Sequence, residues 1–388
     1  MIESLEDNLW FLVRCELVFL LVIGLMVTLL FWVKSKVAVS KECVVDINDG
    51  FKKIVASYSS KLFEILSGNG IYLPSACGGG GTCGMCKVKL KDPGEPGLID
   101  RSILTKHDLD EGLRLACQLS LKQDIKINLP SSVMDVKKRK FRVISNKQLT
   151  PLIYEIKLVP VDGDMFEFEV GDYIQVELET KEDTYIRGYS MANSSLEKDY
   201  ILLNIRLAVP PRPRLPVGVV SSFLTSRAKG DEVMITGPYG EFHISENEVP
   251  MVYVAGGVGL SSIRAHVVEL LEGRGSKRKI SLWYGVRTKK DGYYIEEMAS
   301  FMDKYPNFSF NLVLSNESVE PGMVNKQGYN LYTGFVHEAL YLNLLKDSLD
   351  ASEWEYYFCG PSLMNRGMIG LLADLGVKRS NIYFDDFG

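Results

Sequence analysis

Positive charge is in deficit in this chain. Over 388 residues, 49 acidic side chains outnumber 44 Lys and Arg, and the formal net charge is −5. There is no basic excess to meet a phosphate backbone, so no nucleic-acid partner is expected. An even number of thiols is missing as well: 7 cysteines cannot all pair within the chain as disulfides. No internal repeat recurs, which sets aside stacked-repeat architectures. Long apolar runs are missing everywhere except near the N-terminus. What remains is a chain with 46% hydrophobic residues, long enough for two or three domains.

The thiols are not scattered. Cys77-Gly78-Gly79-Gly80-Gly81-Thr82-Cys83-Gly84-Met85-Cys86 holds three of them, and Cys117 follows in Leu115-Ala116-Cys117-Gln118. Three clustered thiolates plus one remote is the layout of a [2Fe–2S] cluster of plant-ferredoxin type. Glycine permits the unusual φ angles and close backbone approach that a loop wrapped on a small anionic cluster needs. Its N–H groups can then point at sulfur and tune the potential. A structural zinc site also uses four thiolates, but usually as two short-spaced pairs. Disulfides are disfavoured if this part of the chain is cytoplasmic. The gap between Cys77 and Cys83 is one residue longer than the plant spacing. Cys15, Cys43 and Cys359 stand outside the set.

From Leu17 to Val33 no residue is charged, and Leu9 to Val13 extends the apolar character. That is near the ~20 residues needed to cross a bilayer. Trp10 and Trp32 flank the run as interface anchors would. Acids precede it and Lys34, Lys36 and Lys41 follow, so the positive-inside rule puts the N-terminus outside and the rest in the cytoplasm. A secretory signal would want a basic start and a shorter apolar core. A buried core helix would be apolar all round at an extreme end of the chain.

Beyond the anchor, Cys43–Asn48 and Lys52–Ala56 read as strands joined at Asp49-Gly50. Lys61–Asn69 reads as a helix with Leu62, Ile65 and Leu66 at core spacing. The cysteine loop follows, then alternating strands at Lys87–Leu90 and Ile125–Leu129. A small mixed sheet crossed by one helix is a β-grasp. Val136–Lys140 reads as a short solvated basic linker. Six strand-like segments between Phe141 and Thr236 suggest a closed antiparallel barrel, with Pro210–Pro216 as a stiff surface loop. From Met251 onward strands alternate with helices, which implies a parallel doubly wound sheet.

Four short segments in the last two units carry chemistry. Arg187-Gly188-Tyr189-Ser190 ends a barrel strand; a guanidinium fork suits a diphosphate. Gly218-Val219-Val220-Ser221-Ser222 opens a helix whose N–H groups can bind phosphate or serve as a plain N-cap. Ala255-Gly256-Gly257-Val258-Gly259 is a glycine-rich turn between a buried strand and a helix, the place of a dinucleotide. It lacks the full Gly-x-Gly-x-x-Gly of the usual dehydrogenases. Phe358-Cys359-Gly360-Pro361 follows another strand, and Cys359 taken alone reads as a core thiol.

In this order the four segments resemble the ferredoxin–NADP reductase superfamily. The resemblance implies that Arg187 pairs with the pyrophosphate of FAD, that Tyr189 packs on the flavin, and that Ser190 reaches its N5 region. It implies Gly218, Ser221 and Ser222 at the flavin diphosphate, and Gly256, Gly257 and Gly259 at the nicotinamide dinucleotide. Cys359, Gly360 and Pro361 would lie beside the nicotinamide. Ser190 and Cys359 are therefore the candidate catalytic residues, Cys359 as a shaper of the pocket and not as a nucleophile. Phe387 is implied to cover the flavin face, against the plainer reading of a frayed tail.

Over nearly the whole chain the resemblance narrows to one family, the F subunits of the bacterial sodium-translocating NADH:quinone oxidoreductases. It is carried by the anchor, Ser75–Cys86, Arg114–Gln118, Arg187–Asn193, Gly237–Phe242, Trp283–Arg287 and Asp385–Gly388. Two departures are visible: the stretch Glu179–Thr184 is short where the family has an insertion, and Gly388 stands alone where the family tail has two glycines. The missing insertion bears on partner contacts more than on cofactors. The implied fold is multidomain α+β and α/β. A transmembrane helix (1–36) precedes a β-grasp [2Fe-2S] ferredoxin domain (37–132), an antiparallel flavin-binding β-barrel (133–246) and a doubly wound NADH-binding domain (247–388).

The implied activity is electron input: hydride from NADH to FAD, single electrons to the cluster held by Cys77, Cys83, Cys86 and Cys117, then membrane subunits and finally ubiquinone. The implied place is the bacterial inner membrane, single-pass, with the soluble domains in the cytoplasm. No ionisable residue lies in the span, so the chain is not expected to carry sodium itself. Thr288, Lys289 and Lys290 follow Arg287 where lysines can hold a 2′-phosphate, so the residues leave NADPH open; the resemblance favours NADH. Two rivals remain at this point: a soluble reductase feeding an oxygenase, and a tethered electron carrier without nicotinamide activity.

Overall fold

The computed structural model describes residues 2–37, 42–181, 183–210, 217–318 and 328–385. Helix α1 (Ile2–Val37) opens the chain. Within it, the 20 residues Val13–Trp32 are long and apolar enough to cross a membrane, and none is buried against the described remainder. Twenty residues at ~1.5 Å each span roughly 30 Å, the thickness of a hydrocarbon core. The single hydroxyl in the run, on Thr28, donates back to Gly24 O at 2.6 Å and so needs no outside partner.

The next unit contains β1 (Glu42–Ile47), β2 (Lys52–Ser57), α2 (Leu62–Gly68), β3 (Lys87–Leu90), α3 (Leu98–Ile103), α4 (Lys106–Asp110), β4 (Leu113–Leu115), β5 (Ile125–Asn128) and α5 (Ser131–Met134). The sheet order is β2-β1-β5-β3-β4, with β1 and β5 parallel and the other pairs antiparallel. Helix α2 turns Leu62, Phe63, Ile65 and Leu66 into a core with Val45, Ile47, Val88 and Ile127, as a β-grasp requires. The pair α3 and α4 was not anticipated. Its local signal is a capping box: Thr105 Oγ1 accepts from Asp108 N, and Asp108 Oδ2 accepts from Thr105 N.

The barrel comprises β6 (Lys137–Gln148), β7 (Ile153–Pro160), β8 (Tyr173–Glu179), β9 (Thr184–Ser190), β10 (Ile201–Arg206), helix α6 (Val219–Thr225) and β11 (Glu232–Tyr239). The antiparallel order is β10-β7-β6-β11-β8-β9, and a bridge between Met191 and Leu203 closes the ends. Strands β8 and β9 pair as a hairpin, and Thr180 N donates to Asp183 O at 2.9 Å.

The expected basic linker is corrected here. Lys137–Lys140 is strand, in register with Gly237–Met234 of β11. Lys138 Nζ lies 2.6 Å from Glu177 and 3.3 Å from Glu179, Lys140 pairs with Glu232, and Val136 is buried. Carboxylates from remote strands neutralise a run that looks solvated when read locally.

The last unit runs β12 (Met251–Gly256), α7 (Leu260–Val268), β13 (Ile280–Val286), α8 (Ile295–Lys304), β14 (Phe308–Leu314), β15 (Asn330–Thr333), α9 (Val336–Leu340), β16 (Glu355–Cys359), α10 (Ser362–Asp374) and β17 (Ile382–Asp385). All paired strands are parallel, in the order β15-β14-β13-β12-β16-β17. Every residue of β12 and β16 is buried, the continuous apolar pattern of a sheet covered on both faces. The chain lays down β12 to β15 in one direction and returns to place β16 on the other side. The topological switch point therefore lies between β12 and β16.

A buried ion pair fastens the start of this sheet to the segment leaving the barrel. Arg278 Nη2 sits 2.6 Å from Glu355 Oε2, with side chains 4% and 0% exposed. Arg278 also donates to Val249 O and Ser245 O, and Glu355 accepts from Ser245 Oγ and Asn247 Nδ2. Removing one partner leaves the other charge buried and uncompensated, which costs ~3–5 kcal/mol. Arg278→Ala should lose about that much stability in urea unfolding; an unchanged midpoint would contradict the pairing.

Candidate functional site

The cysteine loop lies between α2 and β3. Cys77 Sγ and Cys83 Sγ are 3.3 Å apart. Cys86 and Cys117 are each 1% exposed and lie close enough for each thiol to act on the other. The four thiols thus form two pairs. In each pair the neighbouring thiol lowers one partner, Cys77 or Cys117, and raises the other, Cys83 or Cys86, whose rise burial reinforces. A [2Fe–2S] cluster takes two thiolates on each iron, and two thiol pairs fit that need. Gln118 Nε2 donates to Cys117 Sγ at 3.4 Å, a contact that would tune a bound cluster. A Cβ on Gly84 would stand 2.7 Å from Ile103 Cγ2, so α3 closes directly over the loop.

The opposite side of the loop meets the barrel. Gly78 has φ +64°, and a Cβ there would collide with the Ile186 carbonyl on β9. Gly188 N donates to Ala76 O at 3.4 Å, and Arg187 Nη1 donates to Cys77 O at 2.9 Å. Gln175 Nε2 donates to Leu73 O and Tyr239 OH donates to Tyr72 O, which pins the approach to the loop against β8 and β11. The strand bearing Arg187, Tyr189 and Ser190 and the loop bearing the thiols therefore touch backbone to backbone.

At the switch point the two glycine turns interlock. A Cβ on Gly256 would stand 2.7 Å from Pro361 Cδ and Met364 Sδ, and one on Gly360 would lie 3.0 Å from Gly256 Cα. A Cβ on Gly259 would strike the Cys359 carbonyl. Gly257 differs: nothing lies within 4 Å of its Cβ position, and its φ is +53°, so its backbone faces open space where a ligand can approach closely. Cys359 is 4% exposed and stands in register with Ala255. Ser261 Oγ, at the start of α7, donates to Ser190 O at 3.3 Å, which joins the glycine turn to the end of β9.

Of the remaining expected residues, Arg187 is exposed, and among the described residues its Nε and Nη2 have no partner. Tyr189 packs against the barrel core, as does Phe223 of α6. Ser221 is tied into its own loop, donating to Gly218 O at 3.0 Å and accepting from Ala208 N at 3.2 Å. Gly218 is needed there, because a Cβ would stand 2.6 Å from Ser221 Oγ. Ser222 is partly exposed. Phe387 lies outside the described residues. Gly78 was read as a loop glycine wrapped on the thiols, not as the contact with β9, and Ser261 and Arg264 escaped sequence reasoning. The signal for Arg264 was available, since it is the one Arg, Lys, Asp or Glu in Leu260–Val268, a helix in which every residue is buried.

Three family models match in the same order: a 2Fe-2S iron-sulfur cluster binding domain over residues 45–122, an oxidoreductase FAD-binding domain over 141–244 and an oxidoreductase NAD-binding domain over 253–369. The F subunit of the Na(+)-translocating NADH-quinone reductase of Yersinia pestis (strain Pestoides F) is 39% identical over 402 residues, covering 95% of this chain and 97% of that one. Its counterpart in Klebsiella pneumoniae is 38% identical over 404 residues, covering 95% and 98%. This chain belongs to the family of Na(+)-translocating NADH-quinone reductase F subunits.

Among solved structures, the Amycolatopsis cytochrome P450 reductase GcoB aligns with TM-score 0.65 at 23% identity, over 89% of this chain and 98% of that one. The ferredoxin reductase in carbazole 1,9a-dioxygenase aligns with TM-score 0.61 at 24% identity, over 90% and 99%. At these identities the likeness is one of fold. The chain is an oxidoreductase with NAD, FAD and 2Fe-2S domains, and the zinc reading of its thiols falls away.

The barrel and the nucleotide unit also meet around a buried imidazole. His266 is 0% exposed, its Nε2–H donates to Phe242 O at 2.9 Å, and Nδ1 accepts from Tyr253 OH at 3.4 Å. Burial lowers its pKa from 6.5 to about 3. An unfolded chain would protonate this group near ~6.5, while the folded one resists until about 3. Stability is therefore complete above the unfolded pKa and is lost as pH falls toward the folded one. His266→Gln should flatten the fall of Tm with acid relative to wild type; parallel curves would contradict the assignment.

Proposed function

We propose that this chain is the NADH-oxidising entry point of a sodium-pumping quinone reductase, tethered by α1 to the bacterial inner membrane with its N-terminus outside. The reading rests on one observation. Strand β9 touches the thiol loop through Gly188, Arg187 and Ile186, and touches α7 through Ser190. The three binding units therefore stand in a row, nucleotide turn, then Arg187–Ser190, then thiols. Bound flavin supplies the chemistry that links a two-electron hydride donor to a one-electron iron–sulfur acceptor.

The chain's own residues bind and position. The free edge of the Arg187 guanidinium holds the flavin diphosphate, with the first turn of α6 at Gly218, Ser221 and Ser222 beside it. Tyr189 bounds the flavin ring, and Phe387 shields its outer face. The open backbone at Gly257, framed by Gly256 and Gly259, receives the NADH pyrophosphate. Cys359, Gly360 and Pro361 wall the nicotinamide, and the Ser190 hydroxyl stands at the reacting end. Cys77 and Cys83 hold one iron, Cys86 and Cys117 the other. Electrons pass on to membrane subunits of the same complex and reach ubiquinone. Lys34, Lys36 and Lys41 keep the soluble units in the cytoplasm.

Full-length protein purified anaerobically in detergent should contain iron and acid-labile sulfide at ~2 each per chain, and NADH should bleach both the flavin and the cluster absorbance. A flavin that NADH leaves oxidised would support a carrier without nicotinamide activity. A chain that stays soluble without detergent would favour the oxygenase reductase.

A further inference from the structure

The nicotinamide site is built on β12, α7 and β16, and the flavin site on the barrel, so the distance between them is set across a joint between two sheets. Arg264 sits at that joint, one helical turn beyond Ser261 on α7. Its side chain is 9% exposed. Nη1 donates to Ala192 O at 2.8 Å and to Glu197 Oε2 at 3.1 Å. Nε and Nη2 grip both oxygens of Glu297 on α8 at 2.9 and 2.7 Å. Ala192 lies two residues past Ser190, and Glu197 is itself held by Ser194 N and Tyr200 OH. One guanidinium thus ties the continuation of β9 to α7, which leaves the nucleotide turn, and to α8.

A second strut runs alongside. The Arg264 guanidinium stacks over the Tyr294 ring at 5.1 Å. Tyr294 heads α8 with φ +55°, a left-handed conformation that non-glycine residues adopt rarely and at a cost. Its hydroxyl crosses to the barrel, donating to Glu155 Oε2 at 2.5 Å on β7 and accepting from Asn204 Nδ2 at 3.1 Å on β10. A purely adhesive joint would not need a planar fork with every arm engaged. The arms land on the segment that leaves Ser190, and hydride transfer demands reacting atoms about 3–3.5 Å apart.

We propose that Arg264 is a positioning residue for hydride transfer: through Ala192 and Glu197 it holds the Ser190 end of β9 at a fixed distance from the Gly257–Gly259 turn, with Tyr294 as its strut. It touches neither cofactor. The inference rests on the NADH-to-flavin reading above.

The test uses full-length, FAD-loaded protein in detergent, mixed anaerobically with NADH. Arg264→Gln should slow the limiting rate of flavin bleaching ~10–100-fold while leaving KM for NADH within about threefold. The long-wavelength charge-transfer absorbance that reports nicotinamide stacked on flavin should weaken in parallel. Arg264→Lys, which keeps the charge and loses the fork, should fall between, and Tyr294→Phe should show a smaller loss in the same direction. Wild-type rate and charge-transfer absorbance in an Arg264→Gln protein with lowered Tm would overturn the proposal, because the residue would then only stabilise. Should Arg264→Gln not fold, an unchanged rate and band in both Arg264→Lys and Tyr294→Phe overturn it equally. A wild-type flavin that NADH does not bleach overturns the underlying reading, and this inference with it.

Discussion

At Gly78 the cysteine loop passes so close to the Ile186 carbonyl that no side chain fits between them. A Cβ there would push the thiol loop off β9 and break the hydrogen bonds from Gly188 and Arg187 to Ala76 and Cys77. The rest of the site's arrangement depends on this contact. On the proposed function it makes the iron–sulfur unit and the barrel a single electron route, because the strand that presents Arg187, Tyr189 and Ser190 is also the wall of the thiol loop. Gln175, Tyr173 and Tyr239 reinforce it from the neighbouring strands, with Tyr173 OH against Met85 Sδ at 3.4 Å. Arg187 stands at the junction with Nη1 on the loop and, among the described residues, no partner at its other nitrogens.

The joint on the other side of the barrel is built by different physics. There the contacts are ion pairs: a buried Arg264 with the half-buried Glu197 and Glu297, and Arg278 with Glu355, both buried. Such pairs contribute little net stability against apolar packing, but they penalise any arrangement that leaves a charge unmatched. They therefore serve geometry better than adhesion. The interlocked glycine turns at Gly256 and Gly360 act alike, since each leaves no room for the other's turn to shift.

Much of this was legible in the residues. The four thiols were identifiable from their spacing, and strands such as Lys87–Leu90, Thr184–Ser190 and Phe308–Leu314 follow their alternating or continuous apolar patterns to the residue. The pairing of the thiols two and two was not legible, because it depends on how the loop folds back on Cys117. Val136–Lys140 was misread, because local charge says nothing of Glu177, Glu179 and Glu232 arriving from elsewhere in the barrel. The strand Asn330–Thr333 is too short to show a period. Arg264 was overlooked because its partners lie on two remote segments, Ala192 to Glu197 and Tyr294 to Glu297. The reductase motifs were readable because three of the four sit at the end of a strand, where the backbone alone builds much of the site.

Concentration dependence tests the single-route arrangement most directly. Full-length protein is mixed anaerobically with NADH, and the reduction of the iron–sulfur centre is followed after flavin bleaching over a range of protein concentrations. Transfer within one chain across the Gly78–Ile186 contact gives a first-order rate that does not change with concentration. A rate that rises in proportion to protein would mean that electrons pass between molecules, and the contact would then not be the route.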